Sequence, residues 1–111
     1  MIRQDGVDIL VDIAGHTDIN RLGVFARRTA PVQVTWLDYL NTTGLFGMNY
    51  RLTDKVADPP GACEHLHSET LWRMPDTQWC WEPPLSAPAV TALPIVANGH
   101  ITFGSFKTTL S

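Results

Sequence analysis

Long apolar runs, basic charge and cysteine are all scarce in this 111-residue chain. Its apolar stretches fall well short of the roughly 18–20 residues needed to cross a bilayer. The amino terminus has neither the basic start nor the apolar middle of a signal peptide. A net charge of -3 leaves no basic footprint for phosphate backbones, which argues against nucleic acid as a partner. The 2 cysteines, Cys63 and Cys80, make no disulfide framework and suit a reducing compartment. The expectation is a cytoplasmic protein with no membrane segment. No P-loop, GxGxxG, GxSxG or HExxH pattern occurs, so the common phosphate, dinucleotide, hydrolase and zinc motifs are missing. Asn41-Thr42-Thr43 matches a glycosylation acceptor but, without a secretory signal, reads as a polar loop.

What is present is an alternation of strand and helix signals. At 44% hydrophobic residues the chain has enough apolar material for a core. Val7 to Ala14 is almost continuously apolar, the mark of a parallel strand covered on both faces, with Asp12 as its one interior carboxylate. Gly15 breaks the run. Thr17, Asp18 and Asn20 are helix-capping residues ahead of Leu22, Val24, Phe25 and Ala26, and Arg27 and Arg28 suit the negative end of that helix. Pro31 ends it. Val32 to Leu37 alternates β-branched and aromatic residues with polar ones and predicts a second strand. Further strands are expected at Met48–Thr53 and Thr70–Met74, with the breaker Asp58-Pro59-Pro60-Gly61 and a brief helix at Ala62–His67 between them. The order predicts an α/β fold built on a parallel, Rossmann-like sheet.

In such a sheet the turns Gly15-His16-Thr17 and Asp38 to Gly44 emerge side by side at the carboxyl ends of neighbouring strands, where α/β proteins bind ligands. Glycine there allows close backbone approach, and hydroxyls and amides suit sugar hydroxyls or phosphate oxygens. Most loops of this composition are only turns, and the plain turn stands as the other reading. His16 reads either as a ligand or proton-exchange group or as a surface histidine bonded to nearby backbone. Asp12, if buried, needs a hydrogen-bond partner, whereas Asp5 and Asp8 read as solvated. Cys63, His65 and His67 lack the second, separated pair that a zinc site needs. Trp72, Trp79 and Trp81 read as the packing of a linker against the first lobe, or as a recognition surface.

Five segments in sequence order, ILVDIAGHT, NRLGVFARRTAPVQVTWLDYLNTTG, YRLTDKVADPPG, SETLWRMPD and ITFGSF, together resemble the catalytic region of the O-linked N-acetylglucosamine transferase and Spindly family, glycosyltransferase family 41. The resemblance implies a GT-B enzyme of two Rossmann-like lobes, with tetratricopeptide repeats usually ahead of them. Members move N-acetylglucosamine from UDP-GlcNAc, or fucose from GDP-fucose in Spindly-type members, to Ser or Thr hydroxyls of proteins, without a cofactor or metal. It implies that Leu37, Asp38, Tyr39, Thr42, Thr43 and Gly44 occupy the loop lining the donor-sugar pocket. Asp38, Leu40 and Asn41 stand where the family usually has Gly, Pro and Gly. His16 and Thr17 would face the cleft and the acceptor, and Arg21 would lie near the acceptor path. The family's histidine motif is not in this sequence, and Lys107 is not matched to the diphosphate lysine.

The expected organisation is the end of a first catalytic lobe at 1–74, a proline-rich connector at 75–98, and the first strand of a second lobe at 99–111, opening at Ile101–Phe106. The expected partners are a nucleotide-sugar donor, an acceptor protein and the remainder of a longer catalytic region, and a piece of this size is expected to be inactive in isolation. Two alternatives stand beside this: a non-catalytic α/β binding or interaction module derived from such an enzyme, and an unrelated Rossmann-type domain that folds alone.

Overall fold

A computed structural model of the chain describes residues 1–104. Its elements are β1 (Ile9–Asp12), helix α1 (Leu22–Phe25), β2 (Val32–Thr35), β3 (Tyr50–Asp54), a 3-10 turn (Glu64–Leu66), β4 (Thr70–Met74) and helix α2 (Pro94–Asn98). The four strands form one parallel sheet in sequence order, β1-β2-β3-β4. The α/β parallel-sheet expectation therefore holds, and β4 has the bounds read from the sequence. The expected brief helix at 62–67 is a single 3-10 turn, and the carboxyl ends of all four strands share one edge.

The core lies on one face of the sheet. Leu22 and Phe25 from α1 bury against Met48 from the β2–β3 connection, with Leu10, Val24 and Leu45 packed around them. Gln33, with no exposed surface, anchors this layer by hydrogen bonds: Nε2 donates to Phe25 O and Gly47 O, both at 2.8 Å, and Oε1 accepts from Thr29 N at 3.1 Å. Gln33→Leu fits the space but removes these bonds to Gly47 O and Thr29 N, and leaves Phe25 O with only Arg28 N, at 2.9 Å. It is expected to cost about 3 kcal/mol, read as a lower unfolding midpoint of the full polypeptide. An unchanged midpoint would mean that water replaces the lost bonds.

The continuous apolar run of β1 predicts cover on both faces, and the structure differs. Ile9 and Val11 are 59% and 45% exposed, because α1 packs only on the other side. The parallel register puts Val34, Leu52 and Trp72 on this same face; Val34 is buried in its middle and Trp72 is exposed at its far side. Trp72, Trp79 and Trp81 stay largely exposed rather than packing a linker down, and Trp72 contacts Tyr50 edge-on at 5.7 Å. The chain after β4 is tied by the backbone of Gln78 instead: its N–H donates to Asp54 Oδ2 at 2.9 Å, and its main-chain carbonyl accepts from Trp36 Nε1 at 2.9 Å.

The first compact unit runs Met1–Trp81, so it takes in the start of the stretch expected as connector, and a second begins at Glu82. Within the second, Pro94 opens α2 and Gly99 ends it in a left-handed conformation, with φ of 70°. Ile101–Gly104 has no regular structure. The rest of the strand expected at 101–106, and Lys107, lie outside the described residues. Among the described residues no helix is long and apolar enough to cross a membrane.

Candidate functional site

The turns after β1 and β2 meet at the carboxyl edge, as the sequence order predicts. Asp12, at the end of β1, is 3% exposed and has the partners that burial requires. It accepts from Ala14 N at 3.3 Å, Gly15 N at 3.0 Å and Thr35 Oγ1 at 2.9 Å, which fixes the turn to the neighbouring strand. Gly15 has φ of +52°, and a Cβ there would sit 2.3 Å from Cβ of Tyr39. Only glycine lets Tyr39 lie against this turn.

His16 and Thr17 cross to the second loop. His16 Nε2 lies 3.0 Å from Thr43 O, and because a carbonyl only accepts, Nε2 carries the hydrogen. The ring also meets Tyr39 edge-on at 5.2 Å. Thr17 Oγ1 shares its single hydrogen between Ala14 O at 2.7 Å and Asp38 Oδ2 at 3.1 Å. The Asp38 carboxylate is therefore turned toward Thr17. Asp38 and Leu37 are both left-handed, with φ of 57° and 64°, a conformation that costs a non-glycine residue roughly 1–2 kcal/mol. That conformation is a physical reason for glycine to suit position 38.

Arg21 is placed differently from the other expected site residues. It is exposed, and its guanidinium donates to the nearby carbonyls of Ile19 at 2.9 Å and Asn20 at 3.1 Å. The helix start also differs from the expectation. Arg21 is the residue before α1, and Asn20 bonds Thr17 O and Leu22 N across the turn instead of Thr17 or Asp18 capping the helix.

Beneath the loop lie groups that pattern reading did not single out. Arg51 on β3 is 1% exposed and donates from Nη1 to Tyr39 O at 3.0 Å and Asn41 O at 3.1 Å. Its Nε faces Asp58 Oδ2 at 3.3 Å. Asp58 also accepts from the Thr53 hydroxyl, and Nε2 of His67 lies 3.6 Å from its other oxygen. Burial pushes the Asp58 carboxyl up, but the Thr53 hydroxyl, Arg51 and His67 outweigh it and hold the group below the carboxylate range.

Glu69, just ahead of β4, is 5% exposed. It accepts from Thr43 N and Thr42 Oγ1, each at 2.7 Å, and from the Thr43 hydroxyl. Burial raises its pKa and those three donors lower it, with the donors prevailing. Gly44 N at 3.0 Å and Ser68 N at 3.2 Å donate to Thr42 Oγ1, whose hydrogen goes to Glu69, so that hydroxyl is fully used inside the protein.

Among the described residues no three His, Cys, Asp or Glu side chains converge as a metal site. His67 Nδ1 donates to Cys63 O at 3.0 Å, and His65 is exposed. Two concavities, of about 410 and 740 Å³, lie at the other end of the sheet, around Arg3, Val7, Arg28 and Val24. The carboxyl edge is an open wall of Gly15, His16, Tyr39 and the loop after it.

The family model for glycosyl transferase family 41 matches residues 1–83, which span all four strands and both turns. The chain belongs to glycosyltransferase family 41. Over 107 residues it is 51% identical to a probable UDP-N-acetylglucosamine--peptide N-acetylglucosaminyltransferase SPINDLY of Petunia hybrida, covering 96% of this chain and 11% of that protein. It is 42% identical over 76 residues to the UDP-N-acetylglucosamine--peptide N-acetylglucosaminyltransferase of Caenorhabditis elegans, covering 68% of this chain and 6% of that one. The solved structure of a mutant of Thermobaculum terrenum O-GlcNAc transferase superposes with a TM-score of 0.73 at 44% identity, over 82% of this chain and 17% of that one. This family 41 chain thus has the α/β sheet of part of a GT-B glycosyltransferase, and the reading as an unrelated Rossmann domain falls. The chain spans about a tenth of the length of the SPINDLY relatives it matches.

Proposed function

We propose that this chain forms the donor-sugar wall of a protein O-GlcNAc transferase, a metal-independent cytoplasmic enzyme that moves N-acetylglucosamine from UDP-GlcNAc to Ser or Thr hydroxyls of acceptor proteins. The observation that carries the reading is the joining of the two turns, with His16 Nε2 on Thr43 O at 3.0 Å, into one surface at the carboxyl edge of a family 41 sheet. In the reaction a Ser or Thr oxygen attacks the anomeric carbon, the bond to the diphosphate oxygen breaks, and UDP leaves with the developing charge. Leu37, Tyr39 and the backbone up to Gly44 would hold the sugar, while His16 and Thr17 would border the acceptor side. The base and the groups that stabilise the leaving diphosphate would come from other parts of a longer polypeptide. By itself this chain supplies one wall and is inactive.

A non-catalytic module is the alternative that Asp38, Leu40 and Asn41 support. Two of these side chains are engaged locally: Asp38 with the Thr17 hydroxyl, and Asn41 Oδ1 with Thr42 N at 2.8 Å. A carboxylate at position 38 would favour the non-catalytic module by obstructing the sugar or repelling the diphosphate, and its engagement with Thr17 weakens that case. Higher identity to SPINDLY relatives than to the C. elegans transferase favours a second donor, GDP-fucose, as the comparison. The test is to incubate the full polypeptide and an acceptor protein with UDP-GlcNAc or GDP-fucose, with chelator present, and to map the modified residues by mass spectrometry. N-acetylhexosamine on Ser or Thr is the expected product. Fucose alone would transfer the reading to a Spindly-type enzyme, and transfer from neither donor would support the non-catalytic module.

A further inference from the structure

We propose that Arg51 and Glu69 are positioning residues that hold the Leu37–Gly44 loop in the shape met by the donor sugar. The proposal rests on the donor-wall reading. Leu37 and Asp38 enter the loop in consecutive left-handed conformations, with φ of 64° and 57°, so the loop left to itself would relax elsewhere. Two buried side chains of opposite charge oppose that. Arg51 donates to Tyr39 O and Asn41 O, at 3.0 and 3.1 Å, from below the first half. Glu69 accepts the Thr43 amide and the Thr42 hydroxyl, each at 2.7 Å, together with the Thr43 hydroxyl, from below the second half.

The chemistry is matched to each half. A guanidinium offers only donors and meets carbonyls; a carboxylate offers only acceptors and meets an amide and two hydroxyls. Taking charged groups to 1% and 5% exposure is costly, and the cost is offset by the loop groups and the Asp58 carboxylate that they pair. What the charges add is a single loop geometry. Because Glu69 takes both threonine hydrogens, Thr42 and Thr43 act on the sugar through the backbone shape they impose, and neither hydroxyl is left to donate to a phosphate oxygen.

The test uses the full polypeptide with UDP-GlcNAc and an acceptor peptide. Arg51→Lys keeps a charge for Asp58 but loses the planar fork, and Glu69→Gln keeps the size but replaces one acceptor oxygen by a donor. Each is expected to raise the donor KM about tenfold, equivalent to about 1.4 kcal/mol, while the acceptor KM stays put. T43V/E69Q is expected to be no worse than E69Q, since both remove the same contact. A donor KM within about twofold of wild type in both single variants, or full additivity of T43V and E69Q, would overturn the proposal. Should the wild type transfer nothing, the donor-wall reading fails, and the clamp is read instead by amide exchange over residues 37–45. Exchange at least about tenfold faster in R51K and E69Q supports the clamp and equal rates overturn it; where one variant fails to fold, the other decides.

Discussion

Gly15→Ala is expected to lower kcat/KM for the donor on the order of 100-fold, the scale of an ångström-sized misplacement near a reacting centre. The added methyl would lie 2.3 Å from Tyr39 Cβ, and it would have to do so at a φ of +52° that alanine avoids. Turn and side chain therefore have to separate. Separation pulls Tyr39 from its edge contact with His16 and disturbs the carbonyl that Arg51 holds at 3.0 Å. Neither turn yields freely, because Asp12 pins one and Arg51 the other. Gly23→Ala is the control: its added Cβ meets nothing within 4 Å, and it lies in α1, where alanine is the better helix former. Steady-state kinetics on the two variants decides the matter. Equal activity would mean that Tyr39 is free to shift without consequence.

Asp58→Ala is expected to lower stability by about 3–5 kcal/mol, the range for removing one partner of a buried pair. Arg51 at 1% exposure would keep its charge with no counter-charge, and Thr53, itself fully buried, would lose its acceptor. Against the roughly 5–15 kcal/mol that holds a typical domain folded, this is a large fraction. The folded-state pKa of Asp58 is depressed, so its contribution is fully present at neutral pH and disappears only as pH falls below the ordinary value of 3.8. The R51M/D58A double variant removes the stranded charge and is expected to recover part of the loss in denaturant unfolding. A midpoint for D58A close to wild type would show that water reaches Arg51.

The strands were legible because each writes a local pattern: the apolar run Val7–Ala14, which contains β1, the β-branched alternation Val32–Leu37, which contains β2, and the Thr70–Met74 segment whose bounds agree with the structure. The meeting of the two turns was legible too, since parallel pairing of β1 with β2 puts both at one edge. Exposure was not. An apolar strand looks the same whether its second face is covered or open, and only the packing of α1 on one side tells them apart. The supports of the loop were invisible for a different reason. Glu69 lies 26 residues from Thr43, and Arg51 sits inside a strand where its charge reads as an outward-facing residue. No sequence pattern points to them; the need for anchors shows only in the structure, where Leu37 and Asp38 are both left-handed and buried charges of both signs hold the loop. Arg21 shows the converse, because its match to a family position places it in sequence, while its guanidinium is occupied by its own turn.

If the turns at Gly15–Thr17 and Leu37–Gly44 form the wall on which the donor sugar rests, the sugar should be felt there and the nucleotide alone should not. Hydrogen–deuterium exchange of the full polypeptide, compared between UDP and UDP-GlcNAc, separates the two, because the difference isolates the sugar from the nucleotide. Added protection over residues 15–17 and 37–45 is expected with UDP-GlcNAc, beyond that given by UDP. Sugar-dependent protection elsewhere, with these two turns exchanging as they do with UDP alone, would contradict a donor-sugar wall at this edge.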